Sequence, residues 1–498
     1  MKKDPAHNLL HGLKISSILY VSQIFLFIAS LISKNILGPE YSGMWSTLLA
    51  IILVLSLFDL GVIQAANKEI SFNLEKNRWG IISRLKNSMA TFAVISGLVG
   101  SILVITFVFI FDITLDSIFL QSLFVILLFM PLYQYILAKT SIFWAFSNFT
   151  PTNLAVFIET AVLMLVGIPL IYFYSIYGQL AAFMLVLICK VYWLTWSTKK
   201  NPTMVSSFKV DFYHYSDLLR KGLPLQLINC VNIFRNTFPI ISVSYFYGFQ
   251  SAGSFALAFS LNSFILWIPL SFSIFLFPSL QRQFAEENSN PEVLRSSLLG
   301  PIGGLAFLVF PLVMSGSSAV MPVFLAEIFP EFKDSEILFL LLLCSSFYMG
   351  LEITANQILV TTNSHRLNAA LSIMIAFLLL LACTLPSLFS LSFISVAWGV
   401  AVVSMFAALT KLYLALRVVR DERKKATIWI YILVPSILSF ASVFINWHLF
   451  NIVFSDQKDV FNYFVFAGLN IIFFTTVSAV LGEKVAFVVS NFRKKIQI

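Results

Sequence analysis

Hydrophobic residues in this chain come in long, nearly unbroken blocks separated by short polar stretches, with no sustained two-residue alternation. Blocks of roughly twenty apolar residues are what a helix needs to cross about 30 Å of hydrocarbon. Only helices and closed barrels can hide every backbone N–H and C=O in lipid, and blocks this long exclude the barrel pattern. The first half has blocks at 15–33, 44–63, 87–111, 117–137, 152–174, 179–197 and 225–245. The second half has them at 253–277, 297–318, 337–358, 369–389, 393–416, 427–447 and 460–481. The pattern predicts an all-α polytopic membrane protein with about fourteen transmembrane helices.

Composition agrees. The 498 residues are 59% hydrophobic and 11% charged, against about 45–50% and about 25% for soluble domains. Mean hydropathy is +0.90, and the 52 Phe suit a lipid-facing surface. The net charge of +9 would suggest nucleic acid in a soluble chain, but its distribution says otherwise. If residue 1 is cytoplasmic, Lys34, Lys333 and Lys458 fall in outer loops, while Lys190, Arg235 and Lys411 fall within spans. The rest of the 32 Lys and Arg lie in inner segments. That is the positive-inside bias, with both termini cytoplasmic, and the basic loops meet anionic lipid headgroups. The first block is too long for a signal-peptide core and reads as an uncleaved span. Cys189, Cys230, Cys344 and Cys383 sit inside apolar blocks without metal or disulfide spacing and read as small core residues.

A faint internal repeat runs through the chain. Gly38-Pro39-Glu40-Tyr41-Ser42-Gly43 and Gly248-Phe249-Gln250-Ser251-Ala252-Gly253 stand 210 residues apart, each followed by an aromatic, Trp45 or Phe255. Asn148 and Asn153 are echoed by Asn363 and Asn368. The matches suggest two parallel six-span halves of the kind transporters use: 1–197 as the first lobe, 198–224 as a cytoplasmic linker and 225–426 as the second lobe. Residues 427–498 would form two further spans and a tail.

Ile36-Leu37-Gly38-Pro39-Glu40-Tyr41-Ser42-Gly43, Phe58-Asp59-Leu60-Gly61, Leu219-Arg220-Lys221-Gly222-Leu223-Pro224 and Ser251-Ala252-Gly253-Ser254-Phe255-Ala256-Leu257-Ala258 together resemble the Wzx-type polysaccharide flippases. That superfamily also holds MATE exporters and lipid II flippases. The resemblance runs over roughly residues 10–420 and is diffuse, so it speaks to fold more than substrate. It implies two six-helix lobes around a central cavity that opens alternately inward and outward in a bacterial inner membrane. It also implies a polyprenyl-diphosphate-linked oligosaccharide, such as an O-antigen unit, as substrate, with a glycan polymerase or other export proteins as partners.

Ionisable groups at membrane depth are costly and tend to face a cavity. Arg235 lies mid-span in block seven, whose Gln226, Asn229, Asn232 and Asn236 recur at helical spacing. A guanidinium there either grips diphosphate oxygens bidentately or forms a buried pair with Glu352 or Glu159. Ser16, Tyr20, Gln23, Ser30 and Lys34 form a stripe within about 80° on the first span. Lys34, at its outer end, reads as a snorkelling anchor or as a second cation for the diphosphate. Glu352 lies on a third stripe with Ser345, Tyr348 and Asn356. Glu352, Glu159 and Asp59 are candidates for coupling to H+ or Na+, each with a purely structural alternative as an ion-pair or hydrogen-bond partner. Lys190 and Lys411, near inner helix ends, read as snorkelling groups or as part of a basic mouth that attracts diphosphate headgroups.

Phosphate-loop, HExxH and GxSxG motifs are absent from the sequence, so neither a cofactor nor enzymatic chemistry is expected. The leading expectation is a flippase moving a lipid-linked oligosaccharide outward by alternating access. Arg235 and Lys34 would hold the diphosphate, while Asn229, Asn232, Asn236 and Gln23 meet sugar hydroxyls. The rivals are a MATE-like antiporter of small amphiphiles, a membrane glycan polymerase or ligase, and an assembly scaffold. The last two are disfavoured by short outer loops and by polar stripes at membrane depth.

Overall fold

A computed structural model describes residues 5–110, 116–208, 212–286, 290–294, 304–362, 364–419, 433–455 and 460–496. All the regular structure among them is helical. The first part holds α1 (Pro5–Leu55), a 3₁₀ turn (Ser56–Asp59), α2 (Val62–Glu75), α3 (Trp79–Ile110), α4 (Ser117–Ala145) and α5 (Thr150–Val162). It continues with α6 (Ile168–Lys199), α7 (Phe212–Tyr247) and α8 (Phe249–Glu286). Then come α9 (Phe310–Ile328), α10 (Ser335–Thr361), α11 (His365–Leu388), α12 (Ile394–Val418), α13 (Val434–Ser455) and α14 (Val460–Ile496). Ten stretches among the described residues are long and apolar enough to cross a bilayer. The chain is a multi-pass membrane protein.

Two of those stretches each hold two spans. α1 has 51 residues, about 77 Å if straight, more than twice the hydrocarbon thickness. It breaks at Gly38, whose φ of 71° and ψ of 176° are not helical; Pro39 follows and opens the second arm. α6 breaks at Ser175, with φ 49° and ψ −127°. There the chain reverses, because a Cβ on Gly178 would collide with the carbonyl of Leu170, some 12 Å away in an unbroken helix. The first arm of α6 continues α5 through one π turn, Leu163–Gly167. A second π turn, Leu305–Val309, leads into α9. In each case a proline follows by two residues, Pro169 or Pro311. The missing proline N–H leaves a carbonyl inside the turn without its regular partner.

The chain forms two compact units, Met1–Gly253 and Ser254–Ile498. α7, which the repeat assigns to the second half, packs in the first unit against α1 and α2. It also starts at Phe212, inside the stretch read as linker. Another segment read as loop, after the second span, is the amphipathic helix α2. Its Val62, Ile63, Ala66 and Ile70 are buried with Ile82 and Met89 of α3 and Ile142 of α4.

Lipid is as apolar as leucine, so helices in a membrane associate through close packing and hydrogen bonds. Both devices occur in each unit. A Cβ on Gly97 of α3 would overlap Pro131 of α4, and Ser101 Oγ donates to the Leu127 carbonyl at 2.7 Å. In the second unit, Asn446 of α13 donates to the Ser315 carbonyl (3.0 Å) and Ser318 Oγ (2.9 Å) of α9. It also accepts from Asn470 of α14 at 2.6 Å, and Tyr463 donates to the Ala319 carbonyl. The last two helices are thus stitched to α9. Phe107, Phe109, Leu165, Phe173 and Leu388 are exposed, as lipid-facing residues should be. Cys383 is buried, and the four thiols are unpaired.

Candidate functional site

The second arm of α1 ends in the 3₁₀ turn, where Leu60 and Gly61 take positive φ (50° and 80°) and turn the chain into α2. That turn, with α2, α4 and α7, walls a cleft of about 450 Å³ inside the first unit. Leu53, Ile63 and Leu137 supply apolar surface. Ser56, Asp59, Gln64, Asn67, Thr140, Ser141 and Asn229 supply amides, hydroxyls and one carboxylate.

Asp59 is 3% exposed. Its Oδ1 accepts the Gly61 N–H at 3.1 Å and Gln226 Nε2 at 2.5 Å. Gln226 Nε2 also donates to the Leu57 carbonyl at 3.0 Å, and Asn229 Nδ2 reaches Gln226 Oε1 at 3.5 Å. Asn67 Nδ2 donates to the carbonyl and Oγ of Ser141 at 2.9 and 3.0 Å. Gln64 Oε1 is buried with no hydrogen-bond partner among the described residues. At the outer edge of the same α2–α7 seam, Lys221 bonds Glu69 at 2.9 Å and Asp217 at 2.8 Å. Those carboxylates, Asp217 first, hold its amine above the ordinary lysine value.

The structure brings Asp59 and Asn229 into one cleft and leaves other candidates outside it. Arg235 is half-buried and Asn232 and Asn236 are exposed. Arg235 lies about 13 Å along α7 from Gln226 and does not line the cleft. Gln23 is half-buried on the first arm of α1; the side chains of Ser16 and Tyr20 lie outside the described residues. Lys34 is 6% exposed, covered by protein, so the snorkelling-anchor reading fails. On the same arm, Ser33 Oγ donates to Gln179 Oε1 at 2.6 Å, a contact the stripe did not single out.

Lys190 and Lys411 also read differently in the structure. Each spends its amine on a carboxylate instead of snorkelling: Lys190 on Glu159 at 2.7 Å between α6 and α5, and Lys411 on Glu352 at 2.8 Å between α12 and α10. The second pair is 8% exposed on both side chains. A carboxylate occupied by an ammonium is a poor cation acceptor until the ammonium leaves. Asn356 of the Glu352 stripe accepts from Asn368 at 2.8 Å, while Ser345 Oγ bonds its own helix.

Sequence reasoning missed Gln64, Asn67, Thr140 and Ser141, which follow or end spans and passed for loop residues. It also missed that Lys86 and Lys139 are buried. Lys86 Nζ donates to the carbonyls of Thr203 and Val205, Lys139 Nζ to Ser206 Oγ at 3.0 Å, and Asn87 Oδ1 accepts the Ser207 N–H at 2.7 Å. The stretch after α6 is thereby pinned to the ends of α3 and α4.

No protein-family model matches the sequence, and no curated protein matches it either. Solved structures do. The lipid II flippase MurJ in an inward closed conformation aligns with a TM-score of 0.69 at 12% identity, over 95% of this chain and 100% of that one. An inward-facing multidrug resistance MATE family transporter of the MOP superfamily aligns with a TM-score of 0.67 at 13% identity, over 81% and 96%. A D35N mutant of the Vibrio cholerae MATE transporter VcmN gives 0.55 at 14%, over 82% and 98%. At these identities the likeness is one of fold: the chain shares the helical architecture of these solved structures.

Proposed function

We propose that the chain is a flippase that moves a polyprenyl-diphosphate-linked oligosaccharide from the cytoplasmic to the outer leaflet of a bacterial inner membrane by alternating access. The observation that carries this reading is the extent of the likeness. The lipid II flippase aligns over 95% of the chain and the MATE transporter over 81%. The amides and hydroxyls that line part of the cleft support it too, since they are the groups that exchange water for sugar hydroxyls at little cost. Asn229 faces that cleft, and Gln23, Asn232 and Asn236 extend the same chemistry. Arg235, with Lys34, is the proposed grip on the diphosphate, and a glycan polymerase is the natural recipient of the product. A MATE-like exporter of small amphiphiles is the second reading, favoured by the 0.67 TM-score to a multidrug transporter.

The test is flipping of a defined polyprenyl-diphosphate glycan in reconstituted vesicles. Arg235→Ala removes a bidentate, charge-assisted contact and should weaken headgroup capture about tenfold to hundredfold, while Arg235→Lys keeps part of it. Normal flipping by a stable Arg235→Ala protein removes that residue from the mechanism. Drug efflux without any glycan flipping by the unaltered protein overturns the flippase reading in favour of the exporter.

A further inference from the structure

Glu159 and Glu352 each carry a lysine. Asp59 does not: its hydrogen bonds come from neutral donors, the Gly61 and Ile63 N–H groups and the Gln226 amide, and no ion pair to it occurs among the described residues. Gln226 is itself 6% exposed. It joins α7 to the turn that opens α2, beside a place where the two backbones touch. A Cβ on Gly61 would overlap the carbonyl of Gly222, and a Cβ on Gly222 that of Gly61. One residue away, Lys221 links α7 to Glu69 of α2. Of these fastenings, only Asp59–Gln226 depends on a charge buried within the cleft. The same cleft holds Gln64 Oε1, a buried acceptor without a donor.

We propose that Asp59 is a proton-binding site whose charge latches α7 to α2. As a carboxylate it accepts the Gln226 amide in a charge-assisted bond. A proton taken from water in the cleft turns one oxygen into a donor, for which Gln64 Oε1, unpartnered on the same cleft, offers an acceptor, and the bond to Gln226 drops to neutral strength. No covalent bond between heavy atoms changes. The ionisable groups on the elements packed around Asp59 include Tyr133, Tyr135 and Lys139 of α4, Arg84 and Lys86 of α3, Lys68 and Glu69 of α2, and Tyr215, Asp217, Arg220, Lys221 and Arg235 of α7. Of these, Tyr133 lines the cleft with it. The latch rests on the flippase reading for its place in a transport cycle, though not for its chemistry.

The experiment is hydrogen exchange of the full chain in lipid nanodiscs, followed over α7 residues 219–232 between about pH 8 and about pH 5 and corrected for the intrinsic pH dependence of exchange. The unaltered protein should lose protection about tenfold on acidification, the difference between a charge-assisted and a neutral hydrogen bond. Asp59→Asn should show the low, acid-form protection at both pH values. Gln226→Leu keeps the acid, removes its donor, and should also be flat and low. Protection that stays constant with pH in the unaltered protein overturns the proposal, as does Gln226→Leu protection that still responds to pH. Titrating α7 protection in a protein that flips no glycan sinks the flippase reading and keeps the latch. Flipping with pH-independent α7 protection does the reverse.

Discussion

The Glu352–Lys411 pair is the place to separate a structural charge from a coupling one. The two groups meet at 2.8 Å with each side chain 8% exposed. At an effective dielectric constant of about 20, their attraction is about 6 kcal/mol, set against the desolvation of both ions. Removing one partner leaves the other charged and buried, which costs about 3–5 kcal/mol, whereas replacing both by neutral groups of similar size is close to neutral. Glu352→Gln and Lys411→Met should therefore each lower stability by about 3 kcal/mol, and the double variant should recover most of the loss, giving a coupling energy of about 5 kcal/mol. Equilibrium unfolding in mixed micelles measures all four corners of the cycle. Single variants that each cost less than about 1 kcal/mol, or losses that simply add, would refute the argument that a buried pair dominates this site. Transport by the double variant bears on function separately. If it flips substrate with an unchanged response to ion gradients, Glu352 is not the coupling acid.

Two further expectations follow from packing. Gly222→Ala places a methyl group on the Gly61 carbonyl and should cost about 1–3 kcal/mol by forcing α7 from α2. Gly80→Ala, with nothing within 4 Å, is the neutral control, and thermal unfolding of both in detergent decides the matter. Asn446→Leu removes the hub joining α9, α13 and α14. It should cost about 1–2 kcal/mol, because the freed partners find few substitutes in lipid. Unfolding at the unaltered midpoint would show that the seam does not hold the last two helices.

Much of the fold is legible in hydropathy because the bilayer imposes one length and one backbone solution on every span. The reversal at Gly38 is legible too, since a glycine followed by proline marks where a helix stops and another begins. The break at Ser175 falls in the short gap between the blocks at 152–174 and 179–197, where Ser175, Gly178 and Gln179 interrupt the apolar run only briefly. The candidate site was legible as an inventory and not as pairings. Glu352 and Lys411 lie 59 residues apart in sequence, and helical periodicity describes one helix at a time. It cannot say that Lys190 and Lys411 would each be met by an acid on a neighbouring span. Asp59 shows the opposite case. Its motif was visible, yet its meaning depends on Gln226, which arrives from α7 after more than 160 intervening residues. Polar residues inside apolar blocks, such as Asn446 and Asn470, vanish in an averaged hydropathy although they carry the seam of the second unit.

The π turns at Leu163–Gly167 and Leu305–Val309 change how a mutational scan of these spans should be read. A regular helix advances about 100° per residue, and each such turn takes in one residue beyond the regular count. Positions on opposite sides of the turn that a helical wheel draws in line are therefore displaced by nearly a quarter to a third of a revolution. A wheel started at Glu159 loses its bearing before Ile168, so residues beyond it that seem to share the acid's side look elsewhere. Substitutions above and below the turn then belong to two separate surfaces, and a stripe of sensitive positions running straight through would be an artefact of the drawing.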